Sequence, residues 1–163
     1  MFSKDDVLEL KFVEDDQRVV SKKSIVILGN VGAGAKIKSF GTVEVYKNVG
    51  EKAIIVADKG LSVIGKVGAA ARLVTDGQMT ISNKVEDAVC IKAGKFLSVS
   101  KSIGMCAKII VEGKANFLGN VGAGTEITCP KVSIRGKSGH SVVIKNPSRR
   151  LSKRGDRVKL RLV

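Results

Sequence analysis

The sequence predicts an all-β fold, a single-stranded parallel β-helix (solenoid) built from three-sided, 18-residue coils. Three observations carry this. From Val7 to Ile127 every sixth residue is apolar without a miss, whereas an amphipathic helix needs three- and four-residue steps and a lone strand needs alternation. The phrase Gly29-Asn30-Val31-Gly32-Ala33-Gly34 returns as Gly119-Asn120-Val121-Gly122-Ala123-Gly124, with the Val31 slot refilled at Val49, Val67, Val85 and Ile103, so five steps of eighteen join the copies. A fixed period of this length marks a stacked-repeat protein, whose unit buries its apolar side only against copies of itself. Hydrophobic residues make up 44% of the 163 residues but aromatics only 4%, so the core of such a rod is aliphatic.

Residues 1–23 read as an N-terminal coil or cap. They hold the acids Asp5, Asp6, Glu9, Glu14, Asp15 and Asp16. The start Met1-Phe2-Ser3-Lys4-Asp5-Asp6 has no basic segment followed by an apolar run, so no signal peptide is expected. No apolar stretch approaches the roughly twenty residues of a membrane span. The expected location is cytoplasmic, with association at a membrane surface and secretion by a dedicated system left open.

Residues 24–146 read as the β-helix core. One side of each coil carries an apolar-x-apolar strand, as in Ile25-x-Ile27, Val43-x-Val45, Leu61-x-Val63 and Met79-x-Ile81. Ala35, Ala53, Ala71, Val89, Ala107 and Thr125 form a small-residue column where the interior narrows. Gly41, Gly60, Gly77, Gly94 and Gly113 fall at or beside a corner, and Asn30, Asn48 and Asn120 precede another, where tolerance of positive φ is useful. The register slips once. Around Cys129-Pro130-Lys131 one residue is missing, so Val132-x-Ile134 takes the place of Val43-x-Val45 and Val142-x-Ile144 that of Ala35-x-Ile37.

Residues 147–163 read as a basic C-terminal tail or an end-capping strand, the alternating Val158–Val163 being suited to the latter. Formal net charge is +14, and residues 131–163 carry eleven basic groups against one acidic. Arg149, Arg150, Lys153, Arg154, Arg157, Lys159 and Arg161 are the candidate contacts for an anionic partner, whether a membrane, a cell-wall or other anionic polymer, or a nucleic acid. Without aromatics in this segment, nucleic-acid binding would be electrostatic and salt-sensitive.

The repeat Gly41-Thr42-Val43-Glu44-Val45 followed by Val49-Gly50-Glu51-Lys52-Ala53-Ile54-Ile55 resembles the β-helical repeats of bactofilins, the polymer-forming bacterial cytoskeletal proteins. It also resembles the repeat region of the flagellar-assembly-protein-A family. The resemblance covers residues 24–145 and implies a right-handed, three-sided β-helix that joins end to end into non-polar filaments without nucleotide. A second resemblance competes. Val67-Gly68-Ala69-Ala70-Ala71-Arg72 is similar to the hexapeptide pattern of left-handed β-helix acyltransferases, but the other hexads carry Lys59, Gly77, Lys95, Gly113, Asn83 or Lys101 where that pattern wants a small apolar or hydroxyl residue.

Functionally, the sequence points to a non-enzymatic scaffold that self-associates into a homo-oligomer or filament. The alternatives are a hexapeptide acyltransferase and a β-helical adaptor or secreted effector. No catalytic residue, metal ligand or cofactor is expected, and no small-molecule substrate. The single histidine, His140, lies beyond the register slip and has no partner in the sequence that would make it a base or ligand. Val31-Gly32-Ala33-Gly34-Ala35 contains Gly-x-Gly, but no helix and no Lys-Ser/Thr pair follows, so its glycines read as corners. Asp58, Asp76 and Glu112 share a column beside Lys59 and Lys95 and read as a surface ladder. Cys90, Cys106 and Cys129 are three in number and lack metal or redox spacing. Ile54, Val56, Val74 and Ile110 would stack into an outward apolar stripe suited to lateral contact with another rod or a membrane surface. Leu28, Tyr46, Ile64 and Leu118 would form a second stripe.

Overall fold

Short β-branched runs separated by corner residues leave room for strands of three or four residues. Sixteen of them, from β1 (Val7–Leu10) to β16 (Val143–Lys145), run through residues 7–147, the part of the chain that the computed structural model describes. They stack as a parallel β-solenoid of about eight turns, with no helix among the described residues. The strands fall into two eight-stranded parallel sheets, and successive strands of the chain alternate between them. Sheet I begins at Val7–Leu10 and Ser24–Ile27 and ends at Lys131–Ile134; sheet II begins at Arg18–Ser21 and Lys36–Ser39 and ends at Val143–Lys145.

The register is the predicted eighteen residues. Ile25 lies opposite Val43, Val43 opposite Leu61 and Leu61 opposite Met79 in sheet I. Ile37, Ile55, Leu73, Ile91 and Ile109 stack in the same way in sheet II. The slip near Pro130 is also present, since Ala115 pairs with Val132 and Ile127 with Ile144, each a step of seventeen. A second short step differs from expectation. Leu8, not Val7, lies opposite Ile25, and Leu8 and Leu10 pack against the core. In Val7-Leu8-Glu9-Leu10 both alternation phases offer an apolar start, but only the Leu phase puts Glu9 in solvent.

The third hexad forms no strand of its own. Val13, Val31, Val49, Val67, Val85, Ile103 and Val121 make a line of single-residue parallel bridges, and a tight turn follows each. The Ala35, Ala53 and Ala71 amides donate to the carbonyls of Gly32, Gly50 and Gly68 at 3.4 Å. The third residue of each turn has positive φ, from Asp16 and Gly34 through Lys52, Ala70, Ala88, Cys106 and Gly124 to Ser141. This is the pattern of a type II turn, and a residue in that region cannot extend a strand. The asparagines therefore serve otherwise than expected. Asn30, Asn48 and Asn120 are not among the positive-φ residues; their side-chain oxygens accept the amides of Asn48, Lys66 and Lys137 on the next coil at 2.8–3.0 Å.

Inside, each regular coil contributes about six residues. The column Ala35, Ala53, Ala71, Val89, Ala107 and Thr125 is buried as predicted. A further column, Ser39, Ala57, Thr75, Ala93, Val111 and Cys129, is equally buried. Its hydroxyls close the corner: Ser39 Oγ donates to the Lys23 carbonyl at 2.9 Å and accepts the Gly41 amide at 3.0 Å, and Thr75 Oγ1 accepts the Gly77 amide at 3.2 Å. Burial of a hydroxyl is tolerated when it is bonded in this way.

Along that corner Gly41, Gly77 and Gly113 alternate with Lys59 and Lys95. A methyl group at Gly77 or Gly113 would strike the carbonyl oxygen of Lys59 or Lys95 below it, whereas one at Gly60 would meet only ordinary contacts at 3.5 and 3.7 Å. Gly77→Ala is therefore expected to destabilise by about 1–3 kcal/mol, and Gly60→Ala to be neutral or to stabilise by up to about 1 kcal/mol. Urea unfolding of the two variants checks this, and equal effects would contradict the packing described.

Candidate functional site

The stacked register turns any residue type repeated every eighteen positions into a line on the surface, so a candidate site is a face, not a cleft. On sheet II the outward positions form two columns. One runs Arg18, Lys36, Ile54, Arg72, Cys90 and Lys108, ending at Glu126 and Val143; the other runs Val20, Lys38, Val56, Val74, Lys92 and Ile110, ending at Thr128 and Lys145. The stripe residues Ile54, Val56, Val74 and Ile110 all lie here and all are half-buried. Ile54 and Val56 share a strand, and Val56 lies directly opposite Val74.

Sequence reasoning found the apolar half of this face and missed the basic half. Arg18 sits opposite Lys36, and Lys36 and Lys38 share one strand face. Like charges so placed disfavour the sheet. The face carries one carboxylate, Glu126, which meets Lys145 at 3.8 Å with both side chains more than half exposed, a pair worth little in water. Among the described residues no other ion pair lies within 4 Å; Lys108 lies directly opposite Glu126, whereas Arg18, Lys36, Lys38, Arg72 and Lys92 face no carboxylate in their columns. Lys38 Nζ instead stands 5.0 Å from the centre of the exposed Phe40 ring. A shallow, open groove runs between Arg18, Val20, Lys36, Lys38, Ile54 and Val56. The signal was in the sequence, as basic residues at eighteen-residue intervals, but it is legible only once outward columns are aligned.

The outward face of sheet I is different in kind. Its two columns hold hydroxyl side chains at Ser24, Thr42, Ser62, Thr80, Ser98 and Ser133 and apolar ones at Val7, Val26 and Phe96, with Glu9 and Glu44 near one end and Lys114 and Lys131 near the other. The second apolar stripe, Leu28, Tyr46, Ile64 and Leu118, is exposed where sheet I gives way to the bridge side.

The remaining candidates are not drawn together. His140 is exposed on the last coil, its carbonyl accepting the Gly124 amide. Among the described residues no group of three His, Cys, Asp or Glu side chains could hold a metal ion, and no helix is long and apolar enough to cross a membrane. Asp58, Asp76 and Glu112 project at the corner where sheet II turns into sheet I, without an ion pair to Lys59 or Lys95. The tail residues Arg149, Arg150, Lys153, Arg154, Arg157, Lys159 and Arg161 lie outside the described residues. Compared with protein-family models, curated proteins and solved structures, the chain matches none.

The three cysteines are free: Cys106 exposed, Cys90 half-buried and Cys129 buried. Cys129 Sγ lies 3.1 Å from the Lys131 carbonyl oxygen. Burial pushes its thiol up from the ordinary range, partly offset by hydrogen bonds from the Lys131 and Ala115 backbone. The fold thus favours the neutral thiol, whereas the unfolded chain loses that proton near pH 8.5. The contribution of Cys129 is complete below that pH and declines as pH rises through it. Urea unfolding between pH 7 and 10, in rough steps of one unit, should show a stability loss in the wild type that is smaller in Cys129→Ala. A thiol reagent should modify Cys106 first and Cys129 only on unfolding. An equal pH slope in both proteins would contradict this account.

Proposed function

We propose that the protein is a non-enzymatic, bactofilin-like structural rod that self-associates through the ends of its solenoid. The single observation behind this reading is the uninterrupted register. No loop is inserted between Ser24 and Thr128, so no coil carries the protruding segment on which solenoid proteins commonly build a reaction site. Among the described residues, Val7–Leu10, Arg18–Ser21, Lys131–Ile134 and Val143–Lys145 are each paired on one side only. Such edges template further pairing unless they are covered. The proposal includes the right-handed, three-sided coil of the family it resembles. It also includes a cytoplasmic location and a basic tail, Arg149 to Arg161, that adds attraction to an anionic partner.

Sedimentation velocity and negative-stain electron microscopy across a wide concentration range test the reading. Growth of the sedimentation coefficient with concentration, ending in filaments, is the expected outcome. Ile144→Lys, which places a charge on the inner side of the last described strand, should suppress that growth, because inward-pointing charges block edge pairing. A wild-type protein that stays monomeric at every concentration and salt would overturn the proposal.

A further inference from the structure

We infer that the outward face of sheet II is a docking surface for an anionic lipid bilayer, lying flat on it through interleaved cations and aliphatic side chains. The inference is independent of self-association, since a single rod presents the whole face. Eight strands at about 4.8 Å give a face some 34 Å long. It offers Arg18, Lys36, Lys38, Arg72 and Lys92 without carboxylate partners, while Ile54, Val56 and Val74 form one apolar patch near its centre.

Charge complementarity selects the occupant. A second copy cannot be seated face to face, because cations would meet cations. Nor does another side of a second copy supply the missing negative charge: on sheet I Glu9 and Glu44 are balanced by Lys114 and Lys131, and on the turn side Glu14, Asp15, Asp16, Glu51, Glu86 and Asp87 stand among at least as many lysines. A single-stranded nucleic acid would need aromatic platforms, and the outward columns of this sheet hold none; Phe40 stands beside them at the corner. A duplex backbone crossing the middle of the face would lay phosphates over Ile54, Val56 and Val74. An anionic bilayer accepts both components. Its headgroups attract each Lys or Arg by about 1 kcal/mol near the surface, and its interfacial region takes the aliphatic patch while the lysine stems lie along it. The neutral, hydroxyl-rich outward face of sheet I makes the contact one-sided, as on a planar partner.

The test is flotation of the full chain with phosphatidylcholine vesicles, with or without roughly one-third phosphatidylglycerol. Wild-type protein should float only with the anionic vesicles, and less so as salt is raised. Lys36→Gln/Lys38→Gln/Lys92→Gln should weaken partition about a hundredfold. Arg149→Gln/Arg150→Gln/Lys153→Gln, a loss of equal charge from the tail, should weaken it less. Val56→Ser/Val74→Ser should also lower binding to vesicles while leaving any binding to duplex DNA unchanged. The two sheet variants should keep the wild-type β-sheet circular dichroism and a cooperative unfolding transition, because their substituted side chains stand on the outward face. The inference is overturned if the tail variant loses as much as or more than the sheet variant. It is equally overturned if the serine variant binds vesicles like the wild type, a result that would leave only unspecific attraction to polyanions.

Discussion

Every feature of this rod depends on one constraint, the parallel hydrogen-bond ladder that sets each coil directly over the last. A residue pairs with the residue eighteen places on, and seventeen only at the two ends. Because side chains alternate across each strand, this register turns the one-dimensional pattern into columns, inward or outward as a whole. The gain from burying an Ile or Leu, about 1.5–3 kcal/mol, is comparable to the chain-entropy cost of ordering its neighbourhood. Stability therefore belongs to the stack of coils, as in other repeat proteins.

The same constraint explains where chemistry can and cannot reside. Among the described residues the interior is filled by Ile25, Ile37, Ile55, Leu73, Ile91 and their equivalents. Its few buried hydroxyls are occupied in closing corners: Ser39 and Thr75 bind the backbone around the turn between the sheets, and Thr125 Oγ1 lies 3.3 Å from the Gly104 carbonyl. Interaction is left to the outer columns. There sheet II concentrates cations and aliphatics, sheet I is hydroxyl-rich and nearly neutral, and the ends are strand edges.

The inward half of the structure was legible in the sequence because burial restricts residue type. The hexad ladder, the alanine column and the slip at Cys129-Pro130 all survive because a wrong residue at those positions would be buried. Elsewhere the pattern underdetermines the answer. Val7-Leu8-Glu9-Leu10 fits two phases, and only pairing of Leu8 with Ile25 decides between them. The asparagines suggested a positive φ, but an amide that accepts a hydrogen bond from the neighbouring coil suits the same position, and that φ belongs instead to Gly34, Lys52, Ala70 and their column. A three-sided coil gives Val31 and its successors a side of their own, yet the turn that follows each reduces the pairing there to a single bridge. Of the candidate contacts, the aliphatic stripe stood out because outward Ile and Val are unexpected. The lysines and arginines between them did not, because solvent admits charge at any outward position.

Removing one coil tests the central claim, that the eighteen-residue coil is the unit of stability, most directly. Deleting residues 64–81 joins Val63 to Ser82, which holds the place of Ile64, and so preserves every column; deleting residues 64–72 joins Val63 to Leu73 and shifts inward residues of later coils out of their places. Circular dichroism with urea unfolding should show the first protein still sheet-rich and cooperative, at somewhat lower stability, and the second without a cooperative transition. Equal behaviour of the two deletions would contradict the account.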